Sequence, residues 1–170
     1  MPAGGSASAA AIAIAAALLE KAARLSTKQW TSADVALEQA HALRLRASEL
    51  VEADAQAYVS FVEALRAAKG MHGAARDDVV GPAHDVTVDV PLAIVRLGGE
   101  TVELARELAV SGNPNLRADA MVAATIAAAA ATAAARLIAV NLTGGRGDAR
   151  LDEAMQAAQA ATEKAAALQT

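Results

Sequence analysis

DVTVDV, residues 85–90, alternates polar and apolar side chains with β-branched members, and its reading decides the fold class. By period alone the run is a strand. A lone strand has no second strand to pair with in this chain, and its edges would leave backbone donors and acceptors unsatisfied. The run is therefore read as part of a helix over 83–111, kinked where Pro91 removes an N–H donor. Upstream, GMHGAARDDVVGP (70–82) is a loop or short helix with a break at Gly81-Pro82. Before it, a helix over 33–69 would be about 55 Å long at 1.5 Å per residue, which requires a partner of similar length. At the start of the chain Gly4-Gly5 is a turn and Ser6 the N-cap of a helix to about Leu25. Downstream, Gly112 is a helix stop, Asn113 or Asn115 an N-cap and Pro114 a first-turn residue of a helix to about Leu142. That helix is apolar on every side and belongs at the centre of a bundle. After a loop at 143–150, Leu151, Met155, Ala158, Thr162, Ala165 and Leu168 trace one face of a last helix. The expectation is an all-α, up-and-down bundle of about five helices, a single domain over 1–170.

Composition agrees and excludes several functions. Hydrophobic residues make up 55% of the 170 but aromatic ones only 2%, so the interior must be filled by Ala, Leu and Val, and alanine is the strongest helix former. A net charge of −4 gives no broad basic field for a nucleic acid or an anionic membrane. The absence of cysteine excludes disulfides and thiolate metal sites and suits a cytoplasmic location. Ala9–Leu19 has no positive segment before it and does not read as a signal peptide. Ala120–Ala135, bounded by Asp119 and Arg136, is short for a membrane span and fits a buried bundle helix.

Few residues are candidates for chemistry. At 100° per residue, Ala47, Leu50, Tyr58, Phe61 and Leu65 fall within about 40° of Asp54, which sets a carboxylate in an apolar stripe. A structural ion pair and a functional site explain it equally well. Lys69 and Arg66 lie near the same stripe, where cations in a helix's last turn are ordinary. Gly4, Gly5 and Ser6 can offer backbone N–H groups and a hydroxyl to an anion or carbonyl oxygen, or merely cap the helix. SGNPNLRADA (111–120) is ambiguous in the same way: Asn113 and Asn115 cap readily, while Arg117 opposes the helix dipole. His41, His72 and His84 have no i,i+4 mate or acidic cluster, so they read as solvent-exposed and no metal site is expected. Arg146-Gly147-Asp148 reads as a turn and N-cap rather than an adhesion motif.

PAGGSASAAAIAIAAAL, DAQAYVSFVEALRAAK, VPLAIV, GNPNLRADAMVAA and VNL occur in this order. Together they resemble the formiminotetrahydrofolate cyclodeaminase and methenyltetrahydrofolate cyclohydrolase family over nearly the whole chain. The stretch from Asp54 to Leu92 needs no gap, and Arg66, Lys69, Arg76 and Val90-Pro91-Leu92 fall where the family keeps comparable residues. The resemblance implies a dimeric all-α bundle, a tetrahydrofolate derivative as small-molecule substrate, and no metal or bound cofactor. It also implies catalytic roles for Asp54 and Lys69, with Gly4, Gly5, Ser6, Arg66, Asn113 and Asp119 binding substrate. SGNPNLRADA would then form the rim of a pocket at the mouth of the bundle. Three departures stand out. The family usually has three glycines where this chain has Ala3-Gly4-Gly5, a serine where it has Ala118, and Asn-Val-Arg where it has Leu137-Ile138-Ala139. Most members also carry a helix upstream of the point where this sequence begins. These departures favour, as an alternative, a non-catalytic bundle that keeps the fold, with or without affinity for the ligand; a pure oligomerisation module is a third reading.

Overall fold

The computed structural model describes residues 4–142 and 148–169. Among them are five α-helices and no strand: α1 (Gly4–Arg24), α2 (Ala33–Ala67), α3 (Ala74–Ser111), α4 (Arg117–Asn141) and α5 (Ala149–Ala167). A single 3-10 turn, Pro114–Leu116, joins α3 to α4. Cross-helix bonds fix the directions. Ser6 meets Asp54 while Glu20 meets Arg44, so α1 and α2 are antiparallel. Arg46 meets Glu100 across α2 and α3, and Lys21 meets Asp119 across α1 and α4. Arg96 bonds Glu153 and Lys164 bonds Glu103, so α5 runs parallel to α3. The order is up, down, up, down, up.

DVTVDV lies inside α3, which corrects the boundary expected around it: the helix starts at Ala74 and continues through Gly81, Pro82 and Pro91. Each proline removes one N–H from the ladder, but Pro82 is exposed, where the freed carbonyl can bond to water. The long α2 finds its required partner in α3. Both overrun α1, since Ser6 pairs with Asp54 and the thirteen residues from Ala55 to Ala67 carry α2 about 20 Å further. The apolar stripe on α2 is accordingly buried at Ala47 but exposed at Tyr58 and Leu65.

One continuous core runs through the bundle, built largely from alanine on α1, α4 and α5 around Ile12, Leu19, Ile94, Leu97 and Ile138. Small side chains let backbones approach. A Cβ placed on Gly98 of α3 would lie 2.9 Å from the Ala131 Cβ and 3.0 Å from the Ala127 carbonyl oxygen of α4, so glycine is what permits that crossing. α4 packs against α1, α3 and α5, yet Val122 and Val140 remain exposed. On α5 the buried stripe is Ala154, Ala158, Ala161, Ala165 and Leu168, while Met155, expected on the inner face, is exposed. A close approach to α4 selects alanine and turns the bulkier side chain outward. Two stretches, Gly4–Arg24 and Pro114–Asn141, are long and apolar enough to cross a membrane, and half of each is buried inside the bundle.

Candidate functional site

Where α1 ends and α2 continues past it, the four neighbouring helices leave a hollow. Its volume is about 460 Å³, within the range of small-molecule sites, and it is more apolar than polar. Gly4 and Gly5 come from α1; Asp54, Ala57, Tyr58 and Phe61 from α2; His84, Thr87 and Pro91 from α3; and Leu137, Val140 and Asn141 from α4. The α2 set follows the i, i+3, i+4, i+7 spacing of one helix face, and the α3 and α4 sets occupy three of those four positions each. The absence of a side chain on Gly4 and Gly5 opens the α1 wall.

Among the described residues no cation pairs with Asp54, yet its carboxylate is not free in solvent. Its Oδ2 accepts 2.7 Å hydrogen bonds from the Ser6 backbone N–H and from the Ser6 hydroxyl. A carboxylate from α2 thus caps the first turn of α1, where helical N–H groups lack intrahelical partners and the dipole favours negative charge. This corrects the part expected of Ser6. It lies inside the first turn rather than before it, and its hydroxyl also reaches the Val51 carbonyl oxygen at 3.2 Å. Gly5 is equally specific. A Cβ there would stand 2.0 Å from Asp54 Oδ1, so any side chain would expel the carboxylate from its seat. Gly4 faces Leu137, whose Cδ2 would be 3.2 Å from an added Cβ.

His84 corrects the expectation that all three histidines are solvent-exposed. It is half-buried in the cavity wall, 5.8 Å from Phe61 between ring centroids, with Nε2 2.9 Å from the Asn141 carbonyl oxygen. That carbonyl is held in place: Asn141 Nδ2 donates to the Thr87 carbonyl oxygen at 2.7 Å, and the Thr87 hydroxyl to the His84 carbonyl oxygen at 2.7 Å. Sequence reasoning passed over His84, Thr87 and Asn141. The available signal was the spacing of His84, Thr87 and Pro91 on one face of the helix already read over 83–111. Beside this wall, Arg150 bonds Asp148, Asp89 and Asp85 and ties the start of α5 to α3. The Arg150 side chain, then its backbone N–H, hold the Asp148 carboxyl below the usual carboxylate range, with a smaller contribution from the charge of His84. Asp148 caps α5 as expected; Arg146 and Gly147 lie outside the described residues.

The remaining predicted residues are not brought to this hollow within one chain. Lys69 and Arg66 border a separate, shallower depression with His72 and Arg76 at the α2–α3 turn, because α2 carries them about 20 Å beyond Asp54. Asn113 and Asp119 lie at the opposite end of α1: Asp119 pairs with Lys21, sixteen residues and about 24 Å from Gly5. SGNPNLRADA is therefore not the rim of this cavity. Asn113 Oδ1 accepts from the Asn115 N–H, its Nδ2 donates to the Leu25 carbonyl, and its own N–H donates to the Ser26 hydroxyl. Arg117 finds a counterpart in the Leu168 carbonyl at the C-terminal end of α5, which explains a cation at the start of α4. Ala118 and Ala139 are exposed and away from the hollow's lining, whereas Leu137 is part of it. Among the described residues no three His, Asp or Glu side chains are grouped to hold a metal ion.

The family model described as formiminotransferase-cyclodeaminase matches residues 1–164. Among solved structures the fold is similar to the crystal structure of formiminotetrahydrofolate cyclodeaminase from Thermotoga maritima. The TM-score is 0.80 at 19% identity, over 98% of this chain and 83% of that one. No curated protein matches the chain.

Proposed function

This chain belongs to the formiminotransferase-cyclodeaminase family, and we propose that it acts in one-carbon folate metabolism on a 5-formimino- or 5,10-methenyl-tetrahydrofolate. The observation that carries this is the carboxylate of Asp54 fixed at the wall of a 460 Å³ hollow beside Tyr58 and Phe61. In the cyclodeaminase direction N10 attacks the formimino carbon on N5 and ammonia leaves; in the cyclohydrolase direction water adds to the methenyl carbon and the ring opens. Both pass through a cationic one-carbon centre. Asp54 Oδ2 is committed to Ser6, which leaves Oδ1 to stabilise that cation and accept a proton. The aromatic rings supply faces for a flat pterin. Gly4, Gly5 and Ser6 shape this wall. Arg66 and Lys69, too far from Asp54 in the same chain for proton exchange, suit the anionic glutamate tail or the site of a second copy in a homodimer.

The chemistry needs only charge stabilisation and proton movement, for which no metal or bound cofactor is required; a cytoplasmic location goes with this reading. Incubation with 5-formiminotetrahydrofolate tests it: methenyl absorbance should rise with stoichiometric ammonia, and a flat trace with both substrates overturns the enzymatic assignment. Leu137 favours a second reading. It brings an aliphatic side chain to the cavity wall where the family commonly has asparagine, as expected of a bundle that binds a folate without turning it over. Thermal stabilisation by folinic acid with no turnover of either substrate would establish that reading instead.

A further inference from the structure

We propose that His84 is a catalytic acid–base residue in this cavity, the proton-carrying counterpart of Asp54; the proposal rests on the folate reading above. A carbonyl oxygen can only accept, so the 2.9 Å contact with the Asn141 carbonyl places a hydrogen on Nε2 whatever the charge of the ring. Nδ1 is then the nitrogen that gains and loses a proton. Among the described residues it makes no hydrogen bond, and no buried side-chain polar atom there is left without a partner, so Nδ1 is open rather than sealed in the core. The imidazole is also held still: Phe61 lies against it, and the Asn141–Thr87–His84 chain fixes the carbonyl that anchors it. Charged and titratable groups around it are Asp54 and Tyr58 on α2, Asp85 on its own helix, and Asp148 with Arg150 at the start of α5.

The reaction supplies work for such a pair. A formimino group entering as an amidinium carries two hydrogens on the nitrogen that leaves as ammonia, and the third must come from N10. As the bond from N10 to the one-carbon unit forms, Asp54 takes the N10 proton. His84 Nδ1–H then protonates the departing nitrogen as its C–N bond breaks and the electron pair goes with ammonia. N5 donates its lone pair to complete the methenyl cation, and the proton on Asp54 returns through solvent to His84. With water as nucleophile, its oxygen bonds the methenyl carbon and the C–N5 bond breaks; one water proton ends on N5 and the other in solvent.

The test is steady-state kinetics of wild type, His84→Gln and His84→Ala on 5-formimino- and 5,10-methenyl-tetrahydrofolate, with and without added imidazole. Glutamine keeps an N–H within reach of the Asn141 carbonyl but carries no transferable proton. The expected result is a kcat about 100-fold lower in His84→Gln at little-changed KM, with turnover of His84→Ala partly restored as imidazolium concentration rises. A kcat within about threefold of wild type in either variant, an effect confined to KM, or failure of imidazole to restore the folded His84→Ala variant overturns the assignment while leaving the folate reading intact. An inactive wild type overturns both.

Discussion

The two ends of α1 carry polar clusters that look alike in sequence and differ in what surrounds them. At the far end Ser26, Asn113, Asn115, Arg117 and Asp119 satisfy one another or nearby carbonyls: Ser26 bonds Ala22 and Asn113, Asn113 bonds Leu25 and Asn115, and Asp119 bonds Lys21. At the near end Asp54 and Ser6 are also bonded to each other, but beside them lies a hollow, with one carboxylate oxygen and one imidazole nitrogen uncommitted. A polar cluster whose partners are all protein specifies a turn; one that borders unfilled, partly apolar space can serve a ligand. The comparison predicts that substitutions near Gly5 affect turnover more than stability, and those near Asn113 the reverse.

The largest expected effect is at Asp54. Asp54→Asn retains an oxygen that can accept from Ser6, so the fold and melting temperature should be nearly unchanged, while turnover falls by about 100-fold or more. Asn113→Ala, assayed alongside, should lower the melting temperature and leave the kcat of the folded enzyme unaltered. Equal kcat losses in the two would dissolve the distinction between the ends. Next in size is Gly5→Ala. The added Cβ meets Asp54 Oδ1 at 2.0 Å, so the carboxylate must swing out and leave the Ser6 N–H without its partner. Turnover should fall as in Asp54→Asn, with an added stability loss of about 1–3 kcal/mol measurable by urea denaturation.

The all-α class was legible in DVTVDV because a strand without a partner is physically excluded, whatever its period. Asp54 was legible because a carboxylate between Leu50 and Tyr58 on one helix face needs a reason. What the sequence did not disclose was which end of the bundle each polar cluster occupies, since that depends on helix direction and length. Asn113 and Asp119 follow a turn at the far end, so their resemblance to a ligand-binding stretch misplaced them by the full length of α1. His84 was missed for a different reason. Its partners are a backbone carbonyl on α4 and a ring on α2, and neither the i,i+4 rule nor a search for acidic neighbours detects such contacts. The expected Ser6 cap failed because an acceptor from α2, the Asp54 carboxylate, took over the role that a local side chain would ordinarily fill.

A middle-sized effect sharpens the far end. The buried Ser26 hydroxyl donates to the Ala22 carbonyl and accepts from the Asn113 N–H, and Gly112 leaves it room, since a Cβ there would be 2.9 Å from that hydroxyl and 2.5 Å from the Leu108 carbonyl oxygen. Ser26→Ala should therefore cost about 1–3 kcal/mol, or several degrees of melting temperature, with kcat intact. A kcat change at constant stability would mean that the far end communicates with the cavity.

The smallest effect concerns the clamp beside the cavity. Arg150 holds the Asp148 carboxyl below its ordinary value of 3.8, chiefly through their side-chain hydrogen bond. Because the folded value is depressed, the contribution to stability is present in full above the unfolded value and lost as pH falls through the folded one. Arg150→Met should thus melt a few degrees below wild type at pH 7, and the gap should close progressively below about pH 4. The pair is only partly buried, so the same gap should also narrow in high salt. A gap that persists at pH 2 would assign the loss to the packing of the Arg150 stem against α3 rather than to its charge. In that case the start of α5 would be seated on the cavity wall by contact alone, and the His84 side of the site would keep its geometry at acid pH.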